Sequence, residues 1–264
     1  MGEYFDLGKY KRTITTTVAE ANSWFVRGLI WCYGFNQEEA VRCFEKVVEL
    51  DPECAMGYWG IAYAEGPFYN KPWAWYGLKE RDRAIARCHE YASRAFLLKQ
   101  ATSPVEQALI DALCAKHPAA HAKDFAELDN WTQDYADAMR RVHDEFDEDL
   151  DVVCLCAEAV MNLTPWKLWD LQHGVPATDA CTEEAIAILE HGLQIVERDG
   201  LEPHPGILHF YIHVYEMSPT PEKALACANQ LRNLCPEAGH LVHMASHIDS
   251  LCGHWQDAAD ANRR

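Results

Sequence analysis

A pattern of paired helices with a fixed return constrains this chain more than any other feature. Trp24, Gly28 and Trp31 set an aromatic, a small residue and an aromatic on one helical stretch, and Ala40, Phe44, Val47 and Pro52 follow on the next. Small residues let two helices approach closely, aromatics fill the space between them, and proline ends the second helix because it lacks an amide proton. The spacing returns near the C-terminus, where His209 stands 34 residues before His243 and His213 stands 34 residues before His247. A period of that length makes each unit a helix pair that buries its apolar face against the next pair. Residues in phase recur on one face of successive helices. The five histidines of HFYIH and HLVHMASH, namely His209, His213, His240, His243 and His247, are therefore expected to converge.

Apolar residues recur at spacings of three and four almost throughout, punctuated by Gly and Pro, and no alternating strand pattern persists. The expected fold is all-α. A helix is expected from Met56 to Ala64, and its partner near Arg81 to Leu98 is delayed by the insertion GPFYNKPWAWYG. Ser103-Pro104 opens another helix, with Glu106 in its first turn, and further helices are expected over 128–146, 150–163 and 182–198. A second aromatic insertion, TPWKLWDLQHG, precedes the last of these. The whole chain, 1–264, is expected to form one helical domain, regular over about 20–64 and 205–264 and irregular over 65–204. Its last residues, DAADANRR, begin a helix whose pair is left unfinished, so a further C-terminal segment or another subunit of a homo-oligomer is expected to cover that end.

The aromatic, small, Ala, Phe and Pro positions of the first pair resemble the tetratricopeptide repeat. The resemblance implies a curved right-handed solenoid of helical hairpins, here interrupted by the aromatic insertions. It also implies that the five histidines line the concave groove, along with Phe25, Leu29 and Cys32 of the first pair. A narrower likeness covers Gly34 to Pro67 and Ala238 to Trp255. Both blocks are similar to those of bacterial and fungal tetratricopeptide-repeat proteins without an assigned activity. Where that pattern has His after Phe35-Asn36, this chain has Gln37.

Histidines four residues apart on a helix share one face at about 5 to 6 Å between Cβ atoms, close enough to chelate one ion. His209 with His213 and His243 with His247 form two such pairs, and His240 can add a fifth nitrogen. Glu216 is a candidate ligand, acid/base group or outer acceptor that orients an imidazole, and Glu158 joins it if Ala157 takes a small-residue position. The competing reading is a groove that binds a carboxylate through charged imidazoles. His89, His117, His121, His143 and His191 lack a partner at metal spacing, His204 reads as a loop residue, and His254 reads as a cap after Gly253. Trp73 and Trp75 of the first insertion, and Trp166 and Trp169 of the second, either fold over a substrate pocket as lids or plug gaps between irregular repeats.

A histidine-rich set with few carboxylates favours copper, then iron if Glu216 or Glu158 ligates, with zinc the third choice. The leading expectation is a copper-dependent oxidase or oxygenase acting on a small organic molecule. Two alternatives stay open: a non-catalytic adaptor that binds a peptide, and a zinc hydrolase with Glu216 as general base. With 23 basic against 41 acidic residues the net charge is -18, which opposes nucleic acid as a partner. No leader and no membrane-spanning run is apparent, so a cytoplasmic protein is expected. The eleven cysteines are odd in number and lack a secretory context, and they read as reduced.

Overall fold

Local sequence chemistry sets most of the helix boundaries. In the computed structural model, which describes residues 4–263, α1 (Ala19–Tyr33) and α2 (Gln37–Leu50) form the first pair. The Asn36 side chain accepts from the amide of Glu39, supplying one of the partners that the first turn of a helix lacks. α3 (Ala55–Glu65) packs on α2, and α4 (Leu78–Leu98) on α3. α5 (Pro104–Lys116) opens with a capping box between Ser103 and Glu106, and α6 (Phe125–Glu145) starts on the Asp124 side chain. Then follow α7 (Leu150–Met161), α8 (Thr182–Asp199), α9 (Pro205–Tyr215), α10 (Leu225–Leu231), α11 (Gly239–Leu251) and α12 (Trp255–Ala261). The only paired strands among the described residues are β1 (Trp169–Asp170) and β2 (Val175–Pro176), a short antiparallel hairpin inside the second aromatic insertion. The fold is all-α, and each expected helix is present within a few residues.

The chain gathers into two compact units. One comprises residues 11–32 and 36–147. Its packing turns on Phe44: a methyl added at Gly28 of α1 would meet that ring at 2.5 Å, and one at Gly60 of α3 would meet it at 2.4 Å. Hydrogen is thus the largest side chain either helix tolerates at this approach. Phe25 packs at a tilt against Phe44 and Trp59, and Phe25, Leu29 and Cys32 are buried. Trp73 is buried with Ala84, Ile85, Leu128 and Trp131, a second apolar cluster of the same unit.

The other unit comprises residues 4–10, 33–35 and 148–263. α7 packs on α8 and α9, α9 packs on α10 and α11, and α11 on α12. α9 lies close to α7 because Gly206 sits where a methyl would meet Cys154 Sγ at 2.4 Å and the Tyr33 ring at 2.8 Å. α11 ends in a left-handed Gly253 at φ 79°, with the His254 amide donating to Asp249 O and the Gly253 amide to Ser250 O. His254 thus closes the helix through its backbone rather than through its ring. All eleven cysteines are free. Among the described residues no helix is long and apolar enough to cross a membrane.

Candidate metal centre

α9 places His209 and His213 one turn apart, and both are buried, at 0% and 1% exposed. Their ring centroids are 4.6 Å apart. α11 brings His240 from its first turn, so that one ring nitrogen from each of His209, His213 and His240 lies within 4.8 Å of the other two. His243 and His247 continue along α11 as a neighbouring pair with rings 4.9 Å apart. The five histidines therefore gather as a group of three, of which His209 and His213 are buried and His240 is partly exposed, and an adjoining, partly exposed two.

The outer hydrogen bonds decide what those rings can do. His209 Nδ1 donates to the carbonyl of Tyr33 at 2.5 Å, and His213 Nδ1 donates to Glu216 Oε1 at 2.6 Å. His247 Nδ1 donates to the other oxygen of the same carboxylate, Glu216 Oε2. His243 Nδ1 donates to Asn262 Oδ1 at 2.6 Å, and the orientation of that amide follows from its Nδ2 donating to Ala258 O at 2.8 Å. Each of these oxygens is an acceptor, so each of the four Nδ1 atoms carries the proton and each Nε2 presents a lone pair. Two pairs of Nε2 atoms then face one another, His209 to His240 at 3.2 Å and His243 to His247 at 3.0 Å. At His243 and His247 both rings are held in that tautomer, so their lone pairs repel unless a cation, either a proton or a metal ion, lies with them, whereas His240 Nε2 can carry a proton and donate to His209 Nε2.

Burial weighs against the proton at His209, His213 and His240. Desolvation, reinforced by His213 and then His240, pushes His209 well below the ordinary histidine value, and desolvation also lowers His213 against the pull of Glu216. His240 is pushed down to about 3 by burial, with His213, His243 and His247 adding to it. Glu216 experiences the opposite balance. Burial raises its carboxyl, but the hydrogen bonds from His213 and His247 outweigh that and hold it at about 2. The result at His209, His213 and His240 is three neutral imidazoles, with one carboxylate behind His213, an arrangement suited to binding a divalent or monovalent transition-metal ion.

Two aromatic side chains close on His213. Phe35 stacks on it with centroids 5.5 Å apart and also contacts His209 and His240 at 4.5 and 5.2 Å, while Trp166 meets it edge-on at 5.7 Å. Phe35 at φ 54° and Trp166 at φ 64° are the only non-glycine residues with positive φ among the described residues. Left-handed backbone at a bulky residue costs on the order of 1–3 kcal/mol and persists where surrounding contacts impose it. Both strained positions serve the same imidazole. The second insertion is anchored nearby, with Trp169 Nε1 donating to Val214 O of α9 at 2.7 Å.

Behind the centre lies a second polar group. Tyr10 and Tyr33 hydroxyls and His204 Nε2 all donate to Asp151 Oδ1 on α7, the last at 3.1 Å. His204 is therefore not a loop residue. It caps α9, its Nδ1 accepting from the Ile207 amide at 3.2 Å, and it fixes the start of the helix that carries His209 and His213.

Of the other candidate residues, Trp166 and Trp169 lie against the histidines and their helix. Trp73 belongs to the apolar cluster of the other unit, and Trp75 beside it is 60% exposed. Glu158 is buried on α7, and it is absent from the groups of metal-spaced side chains among the described residues. Glu216 reaches the imidazoles from behind. Sequence reasoning missed Tyr33, Phe35 and Asn262 as supports of the site. Only the Gly34-Phe35-Asn36 turn, a bulky residue directly after glycine between two helices, signalled one of them. A second metal-spaced group, Asp249, His254 and Asp257, is mostly exposed, and both Asp249 oxygens accept from Arg232. No protein-family model matches this chain, and no curated protein matches it.

Proposed function

We propose that this protein is a copper-dependent oxidoreductase of the oxidase or oxygenase type, built on a tetratricopeptide-like helical scaffold. The observation that carries this reading is the gathering of five imidazoles, four of them with Nδ1 held on an oxygen acceptor so that Nε2 is left with its lone pair. Copper precedes iron in this reading because the nearest carboxylate, Glu216, spends both oxygens on imidazole protons, leaving a nitrogen-only set. Zinc stands third because a closed structural zinc site normally enlists cysteine, and neither metal-spaced group among the described residues contains one.

The substrate in this reading is a small organic molecule and the oxidant is dioxygen. Phe35 and Trp166 support it by shielding the buried imidazoles from water. The tetratricopeptide-like scaffold is supported by Phe44 held between Gly28 and Gly60, and by the recurrence of histidines on α9 and α11. Burial of Phe25, Leu29 and Cys32 weakens the peptide-adaptor alternative, which needs those positions open to a ligand.

Protein purified without added metal should contain stoichiometric copper by elemental analysis and give a nitrogen-rich copper(II) spin-resonance spectrum after oxidation. It should consume dioxygen with a subset of small phenols, amines or thiols. Iron or zinc in place of copper, or metal-free protein whose copper affinity is unchanged in His209→Ala/His213→Ala, would reject the assignment.

A further inference from the structure

We infer that the centre is built for two ions rather than one, with a second, solvent-facing ion held by His243 and His247. This rests on the metal reading above and extends it. The three nitrogens within 4.8 Å of one another belong to His209, His213 and His240, and neither His243 nor His247 is in that group. Those two rings have their own facing Nε2 atoms at 3.0 Å, and each is fixed in the same tautomer by its own acceptor, Asn262 Oδ1 or Glu216 Oε2. A bystander pair would not need both protons held on the far side. The repulsion between the two lone pairs calls for a cation there.

Glu216 joins the two sites. One carboxylate accepts Nδ1–H from His213, which belongs to the inner group, and from His247, which belongs to the outer pair. Ligation at one ring makes its Nδ1–H a stronger donor and draws charge from the shared carboxylate, so occupancy of the two sites is coupled. The sites also differ in access. His209 and His213 are buried and closed over by Phe35 and Trp166, whereas the His247 side chain is 28% exposed and His243 is also partly exposed. Three imidazoles nearly complete the inner ion's shell. Two imidazoles leave coordination positions open on the outer ion, where a small oxidisable substrate or dioxygen can bind directly. The outer ion is thus the point of substrate contact, and the inner ion is sheltered from it.

The test is a copper(I) titration of metal-free protein against a competing chelator, with circular dichroism reporting the fold. Two equivalents are expected for the unaltered chain, and one for His243→Ala/His247→Ala with the fold intact. Asn262→Ala should weaken only the second equivalent, by roughly 10-fold or more, because it removes the acceptor behind His243. A single equivalent in the unaltered chain overturns the second ion while leaving the copper centre standing, and no binding at all rejects the centre itself. Two equivalents that persist in His243→Ala/His247→Ala also overturn the inference. His254→Ala/Asp257→Asn would then show whether the other metal-spaced group holds the second ion.

Discussion

Glu216 concentrates the chemistry of this centre in one side chain. It is 8% exposed, and its two oxygens fix the tautomers of two histidines on different helices. Glu216→Gln keeps the shape but offers only one accepting oxygen, and its amide NH2 faces an imidazole that must then turn or change tautomer. Copper affinity, measured by chelator competition, should fall about 10- to 100-fold, with little change in helix content. The same groups give the metal-free protein a defined acid sensitivity. His240 has a folded value of about 3 against 6.5 for an ordinary histidine, so between those values the unfolded chain binds a proton that the folded chain refuses. Stability is therefore full above about 6.5 and is lost as pH falls toward 3, by on the order of 1.4 kcal/mol per pH unit for a histidine of this kind. Glu216, held at about 2 against 4.5, adds a loss of the same sign between those two values. Denaturant midpoints of metal-free protein should fall steadily on acidification through this range, and a flat profile would show that the imidazoles are not held neutral by the fold. At this scale the sequence exposed the histidines that gather but not their supports. His209 and His213 are legible because four-residue spacing guarantees a shared helix face, whereas the acceptor of His209 is a backbone carbonyl 176 positions away, which no spacing rule can find.

α9 is the element on which the centre depends. Its start is fixed by His204 on Asp151, its approach to α7 by Gly206, and its end by the Glu216 amide donating to Ile212 O. Gly206→Ala places a methyl at 2.4 Å from Cys154 Sγ and 2.8 Å from the Tyr33 ring. Tyr33 cannot easily yield, since its hydroxyl is held by Asp151 and its carbonyl by His209. The substitution should cost about 1–3 kcal/mol in denaturant unfolding and weaken copper binding together with stability. Unchanged affinity at reduced stability would show that the position of α9 does not govern the site. The boundaries of α9 and α11 follow from Pro205, Gly253 and the apolar spacing, so they were readable in advance. The role of His204 was not. Flanked by Pro203 and Pro205 it looks like loop, and only the buried carboxylate of Asp151, on a helix 53 positions earlier, makes it a cap.

At the scale of the whole molecule, the apolar spacing gave the helices, and the chain gathers into two compact units. The 34-residue period pairs His209 with His243, yet the inner group recruits His240 instead, because the first turn of α11 is the part that meets His209 and His213 of α9. Trp73 and Trp166 come from insertions that look alike in composition. Trp73 completes an apolar core and Trp166 stands on His213, a difference set by the fold around each loop rather than by the loop sequence. The eleven free cysteines are the strongest competitors for a soft metal, and eight of them are buried in the helical packing. X-ray absorption at the copper edge of the loaded protein separates the two possibilities most directly. The account predicts a shell of nitrogen at about 2.0 Å with the outer scattering of imidazole rings and no sulfur. A sulfur shell at about 2.3 Å would place the copper on cysteine and contradict the histidine centre.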